Sequence, residues 1–153
     1  MSERLWFRSW EVRALTGLTE RQLGYYAQTK LVAPERLEGE HAYTWYGLFE
    51  LRTIVALRAA GESIQQIRKY FPRLRKWLSE FSPALLAGSV LMVRPSADGF
   101  AAFLVQSEAY ALDERCSGVV PFARVRFNAL ASAVVWVDGQ KGRGITMKDV
   151  EVA

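Results

Sequence analysis

Cysteine and histidine are nearly missing from this 153-residue chain, which carries one of each, Cys116 and His41. A single cysteine closes no internal disulfide, and one cysteine with one histidine gives no metal-ligand cluster of familiar spacing. Long apolar runs are missing too: none approaches the roughly 18–20 residues that cross a bilayer. The opening residues MSERLWFRSWEVR are charged and interrupted, unlike a secretory signal, so a cytoplasmic location and no membrane partner are expected. The chain also lacks a carboxylate pair, a phosphate-cradling glycine loop and a nucleophile motif. A protein that is not an enzyme, with no cofactor and no metal, is the expectation. Repeats and low-complexity tracts do not occur.

What is present is enough apolar residue, 50%, to build a folded core, and ordinary charge, 24%. The net charge of +4 is unevenly spread. Residues 1–81 hold 13 Lys/Arg against 9 Asp/Glu, whereas residues 82–153 hold 7 against 7. An excess confined to the first half suits a polyanionic partner for that half.

Two textures meet near Phe81-Ser82-Pro83. Before them, apolar residues recur at helical spacing; after them, short apolar runs alternate with Gly, Pro, Ser and Asp. Ser9 is placed to cap a helix WEVRALT that stops at Gly17, and Thr19 to cap a second from Glu20 to about Thr29. Two short helices on a tight glycine turn make a helix-turn-helix candidate with Leu15, Leu18 and Leu23 as its seam. LVAPERLEGEHAYTWYG then reads as a small β-hairpin or loop. A third helix, LFELRTIVALRAAG, ends at Gly61. Ser63 caps a fourth, IQQIRKYF, stopped by Pro72, and a last piece, RLRKWLSEF, closes before Pro83. Beyond it, Ser89–Arg94 and Phe100–Gln106 form a hairpin around Asp98-Gly99, and FARVRF alternates as a strand. NALASAVVWV fits either a short helix or a strand, and the tail DGQKGRGITMKDVEVA reads as a glycine-rich loop with room for a final strand. The expected class is α+β, with a mostly helical part at 1–81 and a small β-rich part at 84–153.

Within the second helix, Arg21, Gly24, Tyr25 and Gln28 fall at i, i+3, i+4 and i+7 and so share one side. Leu23, Tyr26 and Ala27 lie on another side, toward the core. The outward stripe offers a guanidinium, bare backbone, a phenol and an amide. Arg suits guanine edges or phosphate, Gln suits adenine edges and Tyr suits phosphate. Gly24 would mark close approach to a duplex; the plainer alternative is a solvated helix face with an incidental glycine.

The ordered set VRALTGLTERQLGYY, LVAP, GEHAYT and LFELRTIVALRAAGESIQQIRKYF resembles the MerR family of bacterial winged-helix regulators over about residues 8–75. Leu15-Thr16-Gly17, Leu23, Tyr25-Tyr26, Pro34, Gly39, Tyr43, Leu51, Gly61, Ser63, Ile64 and Ile67 follow that family's order and spacing. The resemblance implies a winged helix-turn-helix at 1–81, with helix 19–30 in the major groove and wing 35–46 on the backbone. Its DNA contacts would come from Arg13, Thr19, Arg21, Gln22, Gly24, Tyr25, Gln28 and Lys30, and from Arg36, His41 and Tyr43 in the wing. It further implies a transcriptional regulator that acts as a homodimer on double-stranded DNA.

The departures from that pattern matter. Gly24 stands where the family usually has an arginine before the two aromatics, Arg13 replaces a small residue, and His41 and Ala42 occupy basic wing positions. Each missing phosphate contact weakens binding and its salt dependence. RLRKWLSEF spans about two turns, roughly 13 Å, which is too short for the family's dimerising coiled coil. Residues 84–153 are therefore expected to carry oligomerisation, and to take a small-molecule effector or a protein partner. The alternative function is an accessory DNA-binding module, an antitoxin or excisionase-like architectural factor, whose C-terminal half binds a protein. Cys116 reads as a small core or loop residue. Tyr110, Phe122, Phe127 and Trp136 read as packing residues, as do Trp6, Trp10, Trp45 and Tyr46.

Overall fold

A computed structural model of the chain describes residues 6–82, 85–86, 89–96, 99–105 and 123–126. Those residues fall into two compact units, 6–52 and 53–126. The expectations for Cys116, Tyr110, Phe122, Phe127, Trp136, NALASAVVWV and the tail lie outside the described residues.

In the first unit, β1 (Trp6–Arg8) leads directly into α1 (Ser9–Thr16). The helix begins one residue earlier than Ser9-capping implies. Arg8, extended at ψ 159°, is the N-cap, and its backbone N–H donates to Glu11 Oε1 at 2.9 Å. Glu11 thereby satisfies a helix-start donor from a position only 1% exposed. Gly17 ends α1 at φ 79°, a left-handed conformation that L side chains resist, and donates to the Arg13 carbonyl at 2.9 Å. Three residues later α2 (Glu20–Gln28) starts. Leu15, Leu18 and Leu23 are all buried, as the expected seam requires.

The wing is a hairpin of β2 (Glu35–Leu37) and β3 (Glu40–Thr44), joined by Glu38-Gly39. Both turn residues have positive φ, 53° and 81°, the geometry of a two-residue turn that matches strand twist. A feature the sequence did not reveal is β1, which pairs antiparallel with β3 (Phe7 opposite Tyr43), making β3 the central strand of an order β1-β3-β2. The rings of Phe7 and Trp45 meet edge-on at 5.0 Å, and Trp45 tilts against Phe49 at 5.3 Å. Trp45 is thus a packing residue at the wing's end. Helix α3 (Trp45–Ala59) follows at once, its first turn held by Thr44 Oγ1, which accepts from the Gly47 N–H at 3.1 Å.

The second unit begins within α3. Gly61 terminates that helix, with Gly61 N–H on the Arg58 carbonyl and Glu62 N–H on the Leu57 carbonyl, each 3.0 Å. Ser63 caps α4 by accepting from Gln66 N–H at 3.2 Å. The expected stop at Pro72 does not occur: α4 runs unbroken from Ile64 to Leu78, with Pro72 inside it. An interior proline costs about 3 kcal/mol. The opposite face buries Ile67, Tyr70, Phe71, Leu74 and Leu78, and each such side chain contributes roughly 1.5–3 kcal/mol on burial. Packing wins, and the expected 13 Å piece is the second half of a helix about 22 Å long.

Strands β4 (Val90–Ser96) and β5 (Gly99–Val105) form the expected antiparallel hairpin, and β6 (Ala123–Arg126) pairs with the other side of β4. Val90, Leu91 and Val93 of this central strand are buried. The Phe100 ring of β5 sits 5.6 Å from Tyr70 of α4. Among the described residues, no helix is long and apolar enough to cross a membrane, and no group of three or more His, Cys, Asp or Glu is placed to hold a metal ion.

Candidate nucleic-acid interface

Helix α2 is fixed at both ends by its own sequence. Thr19 and Gln22 form a reciprocal cap: Gln22 N–H donates to Thr19 Oγ1 at 3.1 Å, and Thr19 N–H donates to Gln22 Oε1 at 2.9 Å. At the other end Lys30 N–H reaches the Ala27 carbonyl at 3.1 Å, and Leu31 N–H the Tyr26 carbonyl at 2.9 Å. This doubly bonded stop places Lys30 at φ 61°, a position usually filled by glycine. One side of the helix is anchored by buried Leu23 and Tyr26.

Arg21, Gly24, Tyr25 and Gln28 are all exposed on the other side, so the 3.6-residue period placed them together correctly. Tyr25 is 48% exposed, with its ring 6.0 Å from that of Tyr26. A Cβ built on Gly24 would meet nothing within 4 Å. Among the described residues, no packing requires that glycine; the helix accepts a weak residue with open space over it. Thr19, Gln22 and Lys30 are exposed as well. The cap occupies Gln22 Oε1, but the amide protons of the same side chain can still serve an acceptor. Arg13 is half-buried, and its Nε is buried without a hydrogen-bond partner among the described residues.

The wing departs further from expectation. Arg36 and His41 are exposed and directly opposite one another across the hairpin, with Arg36 Nη1 donating to the Gly39 carbonyl at 3.0 Å. Tyr43, expected on the DNA side, is only 4% exposed. It lies on the central strand, where a Cβ on Gly47 would touch its Cβ and Cδ1 at 3.6 Å, and burial pushes its hydroxyl pKa above the usual value. Tyr43 belongs to the core and not to the exposed set. Ala42 is fully buried too, so its lack of charge removes no surface contact. Glu35, Glu38 and Glu40 are exposed beside Arg36, which makes the hairpin net acidic.

Sequence reasoning missed Arg8. Its guanidinium ties β1 to the wing tip through Glu40 at 2.7 Å, Glu38 at 3.6 Å and the Leu37 carbonyl at 3.4 Å. A three-residue strand has no readable period, and the charge pair spans some thirty residues. No local signal marks it.

A two-helix unit on a glycine turn, followed by a hairpin wing and a further helix, defines a winged helix-turn-helix domain. Residues 7–74 match the family described as MerR HTH family regulatory protein. Over that segment the chain carries a MerR-type helix-turn-helix domain, the DNA-binding part of transcription regulators. No curated protein matches the chain.

Proposed function

We propose that the chain is a sequence-specific regulator that binds a pseudo-palindromic duplex site as a dimer. Helix 19–30 enters the major groove and wing 35–46 lies along the backbone. The observation that carries this reading is the exposed stripe Arg21, Gly24, Tyr25 and Gln28 on a helix anchored by its opposite face. Arg21 would meet a guanine edge or phosphate, Gln28 an adenine edge, and the Tyr25 hydroxyl a phosphate. Arg36 and His41 would meet phosphates only weakly, because three glutamates share their hairpin. In this reading residues 1–81 hold DNA, residues 84–153 hold a second copy and an effector or protein partner, and the protein works in the cytoplasm.

The test is selection of bound genomic fragments with the full chain, followed by titration of the recovered site with Arg21→Ala and Tyr25→Ala. Each variant is expected to keep the wild-type circular dichroism and melting temperature and to lose about 1–3 kcal/mol of specific binding. Wild-type affinity in both variants would remove α2 as the reading helix.

A further inference from the structure

The positive charge of the first half does not sit on the helix-turn-helix. Residues 6–62 contain seven Lys/Arg and seven Asp/Glu, so the two short helices, the wing and α3 are together neutral. Residues 63–79, which cover α4 and its two caps, contain Arg68, Lys69, Arg73, Arg75 and Lys76 and no acidic residue. Lys69, Arg73 and Lys76 fall at i, i+4 and i+7, on the side opposite buried Ile67, Leu74 and Leu78, and all three are exposed. Like charges at these spacings disfavour an isolated helix. The helix dipole favours Lys76 in the last turn, but gives Lys69 and Arg73 no such support. Arg75 reaches back over the Phe71 ring at 5.3 Å and Arg73 over Phe100 at 5.8 Å, which leaves Lys69 and Lys76 as the cations on this stripe with no aromatic contact among the described residues.

We propose that this α4 stripe contacts duplex phosphates and supplies the salt-dependent, sequence-independent share of DNA binding, while α2 supplies sequence discrimination. The inference rests on the DNA-binding reading above and adds to it a second surface. Charge complementarity selects the occupant: three cations in line along about 10 Å of helix match a polymer that carries one negative charge per roughly 1.7 Å of its axis. Lysine is a compact, flexible point charge suited to phosphate.

The experiment measures binding of the full chain to its selected site, and to an unrelated duplex, across a salt series. The comparison is between wild type and the double variant Lys69→Gln, Lys76→Gln, whose side chains are solvent-facing and should leave the fold intact, as circular dichroism will check. Without those two ammonium–phosphate pairs, the slope of log affinity against log salt should fall by about two, and affinity at about 0.1 M salt should drop on the order of 50-fold for both duplexes. The ratio between the two duplexes should stay the same. An unchanged slope in a folded variant that still binds its site overturns the inference and points the stripe to an acidic protein surface instead. A wild-type chain that binds no duplex even at low salt overturns the DNA-binding reading itself, and this inference with it.

Discussion

The guanidinium of Arg8 lies 2.7 Å from the Glu40 carboxylate, joining the first strand of the chain to the tip of the wing. The Glu40 side chain is well exposed, at 69%, and that of Arg8 is half-buried, at 33%, so solvent still screens the pair and its net contribution to stability is small. Its effect is on position: it holds a short hairpin that few buried side chains anchor. Arg8→Ala should lower global stability by less than about 1 kcal/mol yet speed amide exchange through the Glu38–Glu40 turn. Denaturant titration and hydrogen exchange measure the two separately, and unaltered exchange at the turn would show that the hairpin holds itself.

Gly24→Ala should stabilise the protein by about 1 kcal/mol, because an interior helical glycine is replaced where, among the described residues, nothing beyond the helix's own backbone and the adjoining residues lies within 4 Å of the new methyl. If the bare backbone there lies against DNA, the same variant should bind its site more weakly while melting higher. A variant that is both more stable and equally tight would show that the glycine serves no contact.

Lys30 adopts φ 61° without being glycine. Lys30→Gly should relieve that strain and raise stability by roughly 0.5–1 kcal/mol in thermal denaturation, with the doubly bonded stop of α2 retained. A destabilised variant would mean that the lysine side chain itself supports the helix end.

Tyr70 is buried, and burial first, then the charge of Glu62 and its hydrogen bond at 3.5 Å, raises the tyrosine pKa well above its usual value. Tyr43 is shifted in the same direction by burial. In the unfolded chain these phenols ionise near about pH 10. Because the folded pKa is the higher one, the stability they confer is complete below about pH 10 and is lost as pH rises further. Tyr70→Phe should therefore flatten the decline of stability above about pH 10 relative to wild type, as read by urea midpoints; an identical decline would place the alkaline sensitivity elsewhere.

Much of this was written locally in the sequence. Thr19 with Gln22, and Ser63 ahead of an apolar stripe, mark helix starts because each cap closes within three residues. The 3.6-residue period alone sorts Arg21 and Tyr25 from Leu23 and Tyr26. Two failures share a cause, which is that tertiary burial overrides local preference. Pro72 reads as a stop, but five buried side chains carry the helix through it. Tyr43 reads as a surface phenol because the sequence hides β1, the strand that makes its own strand central. The charge excess of residues 1–81 reads as a property of the whole half, although a finer count of the same sequence places it in residues 63–79, where three of the five cations share the exposed side of α4.

That neutrality of residues 6–62 governs how this segment meets a partner. Seven cations and seven anions leave little field beyond a Debye length, about 8 Å at physiological ionic strength. Such a segment is not drawn toward a polyanion from afar; it arrives by ordinary diffusion, and its own encounter rate changes little when salt is added.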